Sequence, residues 1–141
     1  MIALAAIMLA LLQTITINAP KEKLNLEVAD TFKTREYGLM NRTSLAPHSG
    51  MIFVFAYDAQ QGFWMKNTLI PLDMIFVRAD GTIDSIAANV PASTPQTPDS
   101  AVATREGRGR YVIELAAGEA RRAGLHAGLR LQIPKLEPKD T

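Results

Sequence analysis

The sequence predicts a mainly β fold, a single-domain sandwich or barrel that carries one or two short helices. Short apolar runs of strand length recur along the chain and are separated by Gly, Pro and Asp turn signals. Two other stretches have the spacing and the caps of short helices. The chain has 141 residues, of which 48% are hydrophobic, which is enough for one core but hardly for two. One domain is therefore expected.

The first half of the predicted domain combines strands with one helix. Residues 24 to 28 alternate between apolar and polar side chains, which is typical of a half-buried strand. The stretch "DTFKTREYGLMNR" predicts a short helix that Asp30 or Thr31 would cap. The apolar run "MIFVF" predicts a strand buried on both faces. The segments "GFWM" and "LDMIFV" predict two further strands with Pro71 between them.

The second half begins with a hairpin signal and ends in a polar tail. The Asp80-Gly81 pair in "RADGTI" predicts a turn between two strands. Residues 91–109, rich in Pro and hydroxyl side chains, predict a long and mobile surface loop. "RYVIEL" predicts a strand, "AAGEARRAG" predicts one or two helical turns closed by Gly124, and "LHAGLRLQI" predicts a turn and a last strand. Residues 134–141 form the tail.

The N-terminal segment predicts export. "MIALAAIMLALLQ" is as long as the core of a signal peptide and shorter than the roughly 20 residues that span a bilayer. We expect a signal peptide over residues 1–19, with Ile17 and Ala19 before the cleavage site, and a mature periplasmic or extracellular domain over residues 20–141. No Lys or Arg precedes the apolar run. An uncleaved membrane anchor, or an N-terminal strand or helix packed on the domain, is the alternative.

Composition argues against several function classes. The chain has fifteen Lys and Arg residues and fourteen Asp and Glu residues. The resulting net charge of +1 provides no electrostatic field that would attract nucleic acid. The absence of cysteine excludes disulfides, thiolate metal sites and cysteine nucleophiles. No serine lies in a nucleophile-elbow motif. We therefore expect neither a nucleic-acid partner nor a serine hydrolase.

Metal and cofactor binding are not expected either. The two histidines, His48 and His126, each lie in a predicted turn and are too few for a zinc site, so both are interpreted as surface residues. A group of methionines accompanies Trp64 and could hold Cu(I), although methionines in apolar runs are more typical of a core. These methionines are Met40, Met51, Met65 and Met74.

Several motifs together resemble a known family. "LEVADT", "GLMNR", "GMIFVF", "FWMKNTLIPLD", "RYVIELAAG" and "GLHAG" follow one another as they do in an uncharacterised domain-of-unknown-function family, also called an uncharacterised ancient conserved region. The resemblance covers roughly Leu24 to Ile133. It implies a compact β sandwich of jelly-roll type that is often exported, and it implies no reaction. The chain departs from the family at Leu129, where an acidic residue is common.

The stretch "GFWMKNTLIPLD" carries the candidate site. In a strand, Trp64 and Lys66 point to one face, and an exposed indole can stack on a sugar ring while neighbouring polar groups donate hydrogen bonds. Alternatively, Trp64 packs under the stem of Lys66, and Asn67 forms a turn. We expect a set of five residues to converge on one shallow concave surface: Arg42, Trp64, Lys66, Asn67 and Asp73.

Three functions remain open at this point. The first is an exported binding module for a small ligand or glycan of the cell envelope. The second is a hydrolase of envelope glycans that uses Asp73 with Glu27 or Asp30 as its pair of carboxylates. Asp73 could instead stabilise the fold through Arg42 or Lys66. The third function is an envelope assembly or interaction protein, and the sequence does not indicate an oligomeric state.

Overall fold

The computed structural model describes residues 12–140, which form one six-stranded mixed sheet with two short helices. The strands are β1 (Thr14–Asn18), β2 (Lys23–Ala29), β3 (Ser49–Trp64), β4 (Leu72–Val77), β5 (Ile83–Val90) and β6 (Thr104–Ala116), and the helices are α1 (Phe32–Tyr37) and α2 (Glu119–Ala123). Their order across the sheet is β1-β2-β3-β6-β4-β5. Strands β2 and β3 are parallel, and the other neighbours are antiparallel. The mainly β prediction is confirmed, and the sheet does not close into a barrel.

Both faces of the sheet are covered, so the domain has two layers of apolar core. One face carries Ile52, Ile75 and Ile113, and α2 packs there. The other face carries Phe53 and Phe76 among its buried residues, next to the segment that follows α1. All six residues of β4 are buried. Central strands covered on both sides have continuous apolar sequences, which explains the buried runs "MIFVF" and "LDMIFV".

Strands β3 and β6 are longer than the sequence indicates. The predicted strands "MIFVF" and "GFWM" are one strand, β3, with a register shift between Val54 and Ala59. Residues 104–109 belong to β6 and not to the predicted loop 91–109, so the connection covers only residues 91–103. These residues form a strand because they pair with residues 59–64 of β3. Gly107 also leaves room for the ring of Phe76, since a Cβ at this position would lie 2.3 Å from that ring. Mobility of this connection stays a prediction.

The predicted helices are confirmed. Thr31 caps α1, because its side chain accepts a hydrogen bond of 3.1 Å from the Thr34 amide. Gly38 ends the helix with φ 51°, and a Cβ there would lie 3.2 Å from the ring of Phe53. Helix α2 ends at Gly124 in the left-handed conformation.

The hairpin prediction is also confirmed, whereas the last strand is not. The Asp80-Gly81 turn joins β4 to β5, and Gly81 has φ 91°. The segment "LHAGLRLQI" forms only an isolated bridge between Thr82 and Arg130, because it packs over the hairpin turn instead of extending the sheet. The polar tail contacts the start of α1, where the Asp140 carboxylate accepts a hydrogen bond of 2.6 Å from the Phe32 amide.

The segment predicted as a signal peptide is only partly described. Residues 1–11 lie outside the described residues. Strand β1 occupies the end of the segment, pairs with β2 and buries Ile17 to 2% exposure. Cleavage after Ala19 would therefore remove an edge strand, and export with this cleavage stays a prediction. Within residues 12–140, no helix has both the length and the apolar character needed to cross a membrane.

Candidate functional site

An aromatic pocket lies between α1 and the sheet. Its volume is about 380 Å³. Six aromatic residues line it, and we call the cavity the aromatic pocket: Phe32, Tyr37, Phe53, Phe55, Phe63 and Trp64. Small-molecule sites occupy roughly 300 to 1,000 Å³ and are lined mainly by apolar and aromatic side chains. The pocket has the size and the lining of such a site.

The aromatic wall centres on Phe63. Its ring meets Phe53 edge to face at a centroid distance of 4.9 Å, and it meets Phe55 at 6.1 Å. Edge-to-face pairs add about 0.5 to 1.5 kcal/mol to the burial of the rings, so this part of the wall is preformed. Trp64 and Tyr37, by contrast, are about half exposed at the rim. The rim therefore offers aromatic faces to a ligand.

A buried carboxyl group borders the same pocket. Glu114 lies in β6, opposite Met51 of β3 and Met74 of β4, and only 5% of the residue is exposed. Burial raises the pKa of Glu114 to about 8, and no contact with residues 12–140 counteracts this effect. At neutral pH the carboxyl group is therefore mainly protonated. A neutral carboxyl can donate one hydrogen bond to a ligand and accept another.

Charged side chains lie at the entrance to the aromatic pocket. The Arg35 guanidinium stacks over Phe55 at 5.6 Å from the ring centroid and donates a hydrogen bond of 3.2 Å to the Val54 carbonyl. It also pairs with Asp140 at 3.3 Å. These three contacts hold the guanidinium against the wall. The pocket thus combines a polar entrance, an aromatic wall and one neutral acid.

The structure does not bring the five predicted site residues together. Trp64 lines the aromatic pocket, whereas Lys66 forms an ion pair with Asp99 on the adjoining loop. Arg42 donates both arms of its guanidinium to Glu27, one of them at 3.2 Å, and lines a separate surface pocket. The segment after α1 does reach the predicted stretch, but through backbone groups.

Asn67 shows this backbone contact. It adopts the left-handed conformation with φ 49°, and its carbonyl accepts a hydrogen bond of 2.9 Å from the Asn41 amide. Asn tolerates this conformation better than most residues do. The geometry agrees with the alternative in which Asn67 shapes a turn.

Asp73 is a buried structural residue. It is 1% exposed, and its carboxylate accepts three backbone hydrogen bonds, from Asn89 at 2.9 Å and from Gly118 and Ala120 at 3.0 Å. These bonds attach the start of α2 to the sheet. Asp73 therefore serves the fold, as the alternative predicts, although its partners are backbone amides and not Arg42 or Lys66.

Sequence reasoning missed Glu114 as a site residue. The signal was a single carboxylate inside the apolar run "RYVIELAA", where an unpaired charge is costly to bury. The same argument applies to Asp73, which also interrupts an apolar run. Only the tertiary contacts distinguish the two residues, since Asp73 receives three hydrogen bonds while Glu114 borders a cavity.

A second polar cluster lies at the start of α2. His48, predicted as a surface residue, contacts the carboxylates of Glu22 and Glu119. The neighbouring Glu119 carboxyl group raises the pKa of Glu22. We call these three residues the His48 cluster.

Comparison with known proteins identifies a family without an assigned activity. A crystal structure from Sinorhizobium meliloti, described as a candidate transcription regulator, is 35% identical with a TM-score of 0.70 and covers 84% of this chain and 91% of its own. A protein of unknown function from Novosphingobium aromaticivorans is 32% identical with a TM-score of 0.70, and 89% of each chain is covered. No curated protein matches. The DUF192 family model, described as an uncharacterised ACR, matches residues 13–133, and the chain therefore belongs to this family.

Proposed function

We propose that this protein is an exported binding module and that its small ligand, a glycan unit of the cell envelope, binds in the aromatic pocket. One observation carries the proposal: the buried carboxyl group of Glu114, whose pKa burial raises to about 8, borders a preformed aromatic cavity. Burying an ionisable group without a partner costs free energy, and groups with such perturbed pKa values are concentrated at functional sites. A ligand that hydrogen-bonds to Glu114 would supply the missing partner.

The chemistry of the lining suggests the class of ligand. Aromatic faces stack on the C–H face of a sugar ring, and a neutral carboxyl both donates to and accepts from a hydroxyl group. Trp64, which is 48% exposed, is placed to provide such a face at the rim. A ligand with one flat apolar face and several hydroxyl groups satisfies both features.

The fluorescence of Trp64 provides a direct assay. It is the only tryptophan of the chain and it lines the pocket, so an envelope oligosaccharide that binds there should shift its emission in a saturable way. Gly62 also lines the pocket, and a Cβ at this position would meet no atom within 4 Å. Gly62→Leu should therefore fill the opening without disturbing the fold and should abolish the response. Tyr57→Leu is the control, because Tyr57 is 79% exposed and does not line the aromatic pocket.

Three outcomes would contradict the proposal. No oligosaccharide in the panel changes the fluorescence, or Gly62→Leu responds like the parent, or Tyr57→Leu loses the response as well. Glu114→Met separates recognition from simple stacking, since it retains a side chain of similar length but can neither donate nor accept the proposed hydrogen bonds. We expect it to weaken binding about tenfold, which corresponds to roughly 1.4 kcal/mol for a lost hydrogen bond.

The hydrolase alternative gains no support from the surroundings of its carboxylates. Asp73 is fully engaged by backbone amides, Glu27 is paired with Arg42, and Asp30 lies 3.6 Å from the ammonium of Lys139. Product detection in the same oligosaccharide incubations tests it. Accumulation of cleaved product that depends on Asp73 would replace the binding proposal.

A further inference from the structure

We propose that the His48 cluster, made of Glu22, His48 and Glu119, is a binding site for a divalent ion of the Zn²⁺ type. One imidazole nitrogen and two carboxylate oxygens of these residues all lie within 4.8 Å of one another. His48 Nδ1 is 3.3 Å from Oε1 of Glu119 and also contacts Oε2 of Glu22. Three potential ligands from three separate segments thus point to one position.

The backbone around each of these residues is held in place. Glu22 lies in the turn between β1 and β2, where its carbonyl accepts a hydrogen bond of 2.9 Å. The His48 carbonyl accepts one of 2.8 Å from the Asn25 amide of β2. Glu119 is the first residue of α2. The backbone amides of its neighbours Gly118 and Ala120 both donate hydrogen bonds of 3.0 Å to the Asp73 carboxylate. A metal site benefits from such support, because little ordering is left to occur on binding.

The carboxylates of the cluster are incompletely satisfied without a cation. Oε1 of Glu22 is buried and has no hydrogen-bond partner among residues 12–140. Oε2 of Glu119 accepts a hydrogen bond of 2.9 Å from Arg122, which directs its other oxygen towards His48. Leaving a buried carboxylate oxygen unpaired and placing two carboxylates side by side are both unfavourable. A bound cation would remove both costs.

The donor set selects the type of ion. Ca²⁺ and Mg²⁺ prefer oxygen ligands alone, whereas an imidazole with carboxylates suits Zn²⁺ and its first-row neighbours. The His48 side chain is 54% exposed, so water can complete the coordination from the solvent side. The cluster is also separate from the aromatic pocket, since the two share no residue. Metal binding and ligand binding can therefore be tested independently.

The test is a calorimetric titration of the tag-free, chelator-treated full chain with Zn²⁺, and with Mg²⁺ for comparison. We expect one equivalent of Zn²⁺ to bind and Mg²⁺ not to bind. His48→Asn and Glu22→Gln each remove one ligand, and Asn suits the positive φ of 58° at position 48. Loss of an outer-shell partner alone costs about 10- to 100-fold in affinity, so each variant should bind at least about tenfold more weakly.

His126→Asn is the matched control, because His126 is the only other histidine and is exposed outside the cluster. It should bind Zn²⁺ like the parent. The proposal is overturned if the parent binds no stoichiometric Zn²⁺, in which case the carboxyl groups share a proton instead. It is equally overturned if His48→Asn and Glu22→Gln, checked for an unchanged unfolding transition, keep the parental affinity. Binding of Mg²⁺ with the same affinity as Zn²⁺ would also overturn the proposal, because the cluster would then attract divalent ions only as an acidic surface.

Discussion

Replacing Glu114 by Gln should make the stability of the protein less dependent on pH. The pKa of Glu114 is about 8 in the folded state, against 4.5 for an ordinary glutamate. Between these two values the folded state retains a proton that the unfolded chain releases. Stability must therefore fall as the pH rises through this interval, because the folded state binds more protons than the unfolded state does. Gln stays neutral throughout and removes this contribution.

The size of the expected stability difference follows from the difference between the two pKa values of Glu114. From 4.5 to 8 is 3.5 pH units, and at 1.36 kcal/mol per unit this gives an upper limit of about 5 kcal/mol for the cost of ionising Glu114. Water that enters the aromatic pocket would lower the cost, so we expect Glu114→Gln to be about 2 to 5 kcal/mol more stable than the parent at pH 9. At pH 4.5 or below, both side chains are neutral and the two proteins should differ by less than about 1 kcal/mol.

Urea unfolding at pH 4.5, 7 and 9 measures this difference. The free energies of unfolding of parent and variant should diverge progressively as the pH rises. The slope of the unfolding free energy against urea concentration should be the same for both proteins. Glu106→Gln is a suitable control, since Glu106 is an exposed residue of the same strand and its replacement should cause little change at any of these pH values. A parent-to-variant difference that is the same at all three pH values would refute the assignment of a buried, protonated Glu114.

Three further predictions concern the scaffold. Asp73→Asn should lower the free energy of unfolding by about 2 to 4 kcal/mol, because three backbone amides lose a charged acceptor. Asp99→Asn is the control: Asp99 is exposed, so its replacement should change the free energy of unfolding by less than about 1 kcal/mol. Equal effects of the two replacements would contradict the structural role of Asp73. Gly107→Ala should cost at least about 2 kcal/mol in the same urea assay, since its Cβ would lie 2.3 Å from the Phe76 ring, and a neutral effect would show that β6 does not pack so closely. A chain that starts at residue 20 lacks β1 and should unfold at a temperature several degrees lower, and mass spectrometry of the exported form would show whether cleavage removes this strand. An unchanged melting temperature would mean that β1 is dispensable.

Local sequence signals determined the individual elements of this fold. The sequence predicts Thr31 as one of two possible caps at the start of α1 and Gly124 as the residue that ends α2. It also predicts Asp80-Gly81 as a hairpin turn. Each of these depends on a few neighbouring residues and their backbone preferences, so a single sequence is enough to recognise it. The buried strand "MIFVF" was recognisable for the same reason, since its apolar run is continuous.

Contacts between distant residues decided the rest. Nothing in residues 104–109 alone indicates a strand, because their pairing with β3 and the close approach of Gly107 to Phe76 depend on the fold. The carboxylates are the clearest case: Asp73 and Glu114 both interrupt apolar runs, and both are buried. The free energy of a buried charge depends on what lies within a few ångströms of it. That surrounding comes from other strands and turns, so only the tertiary structure could make Asp73 a structural acceptor and Glu114 the acid of a pocket.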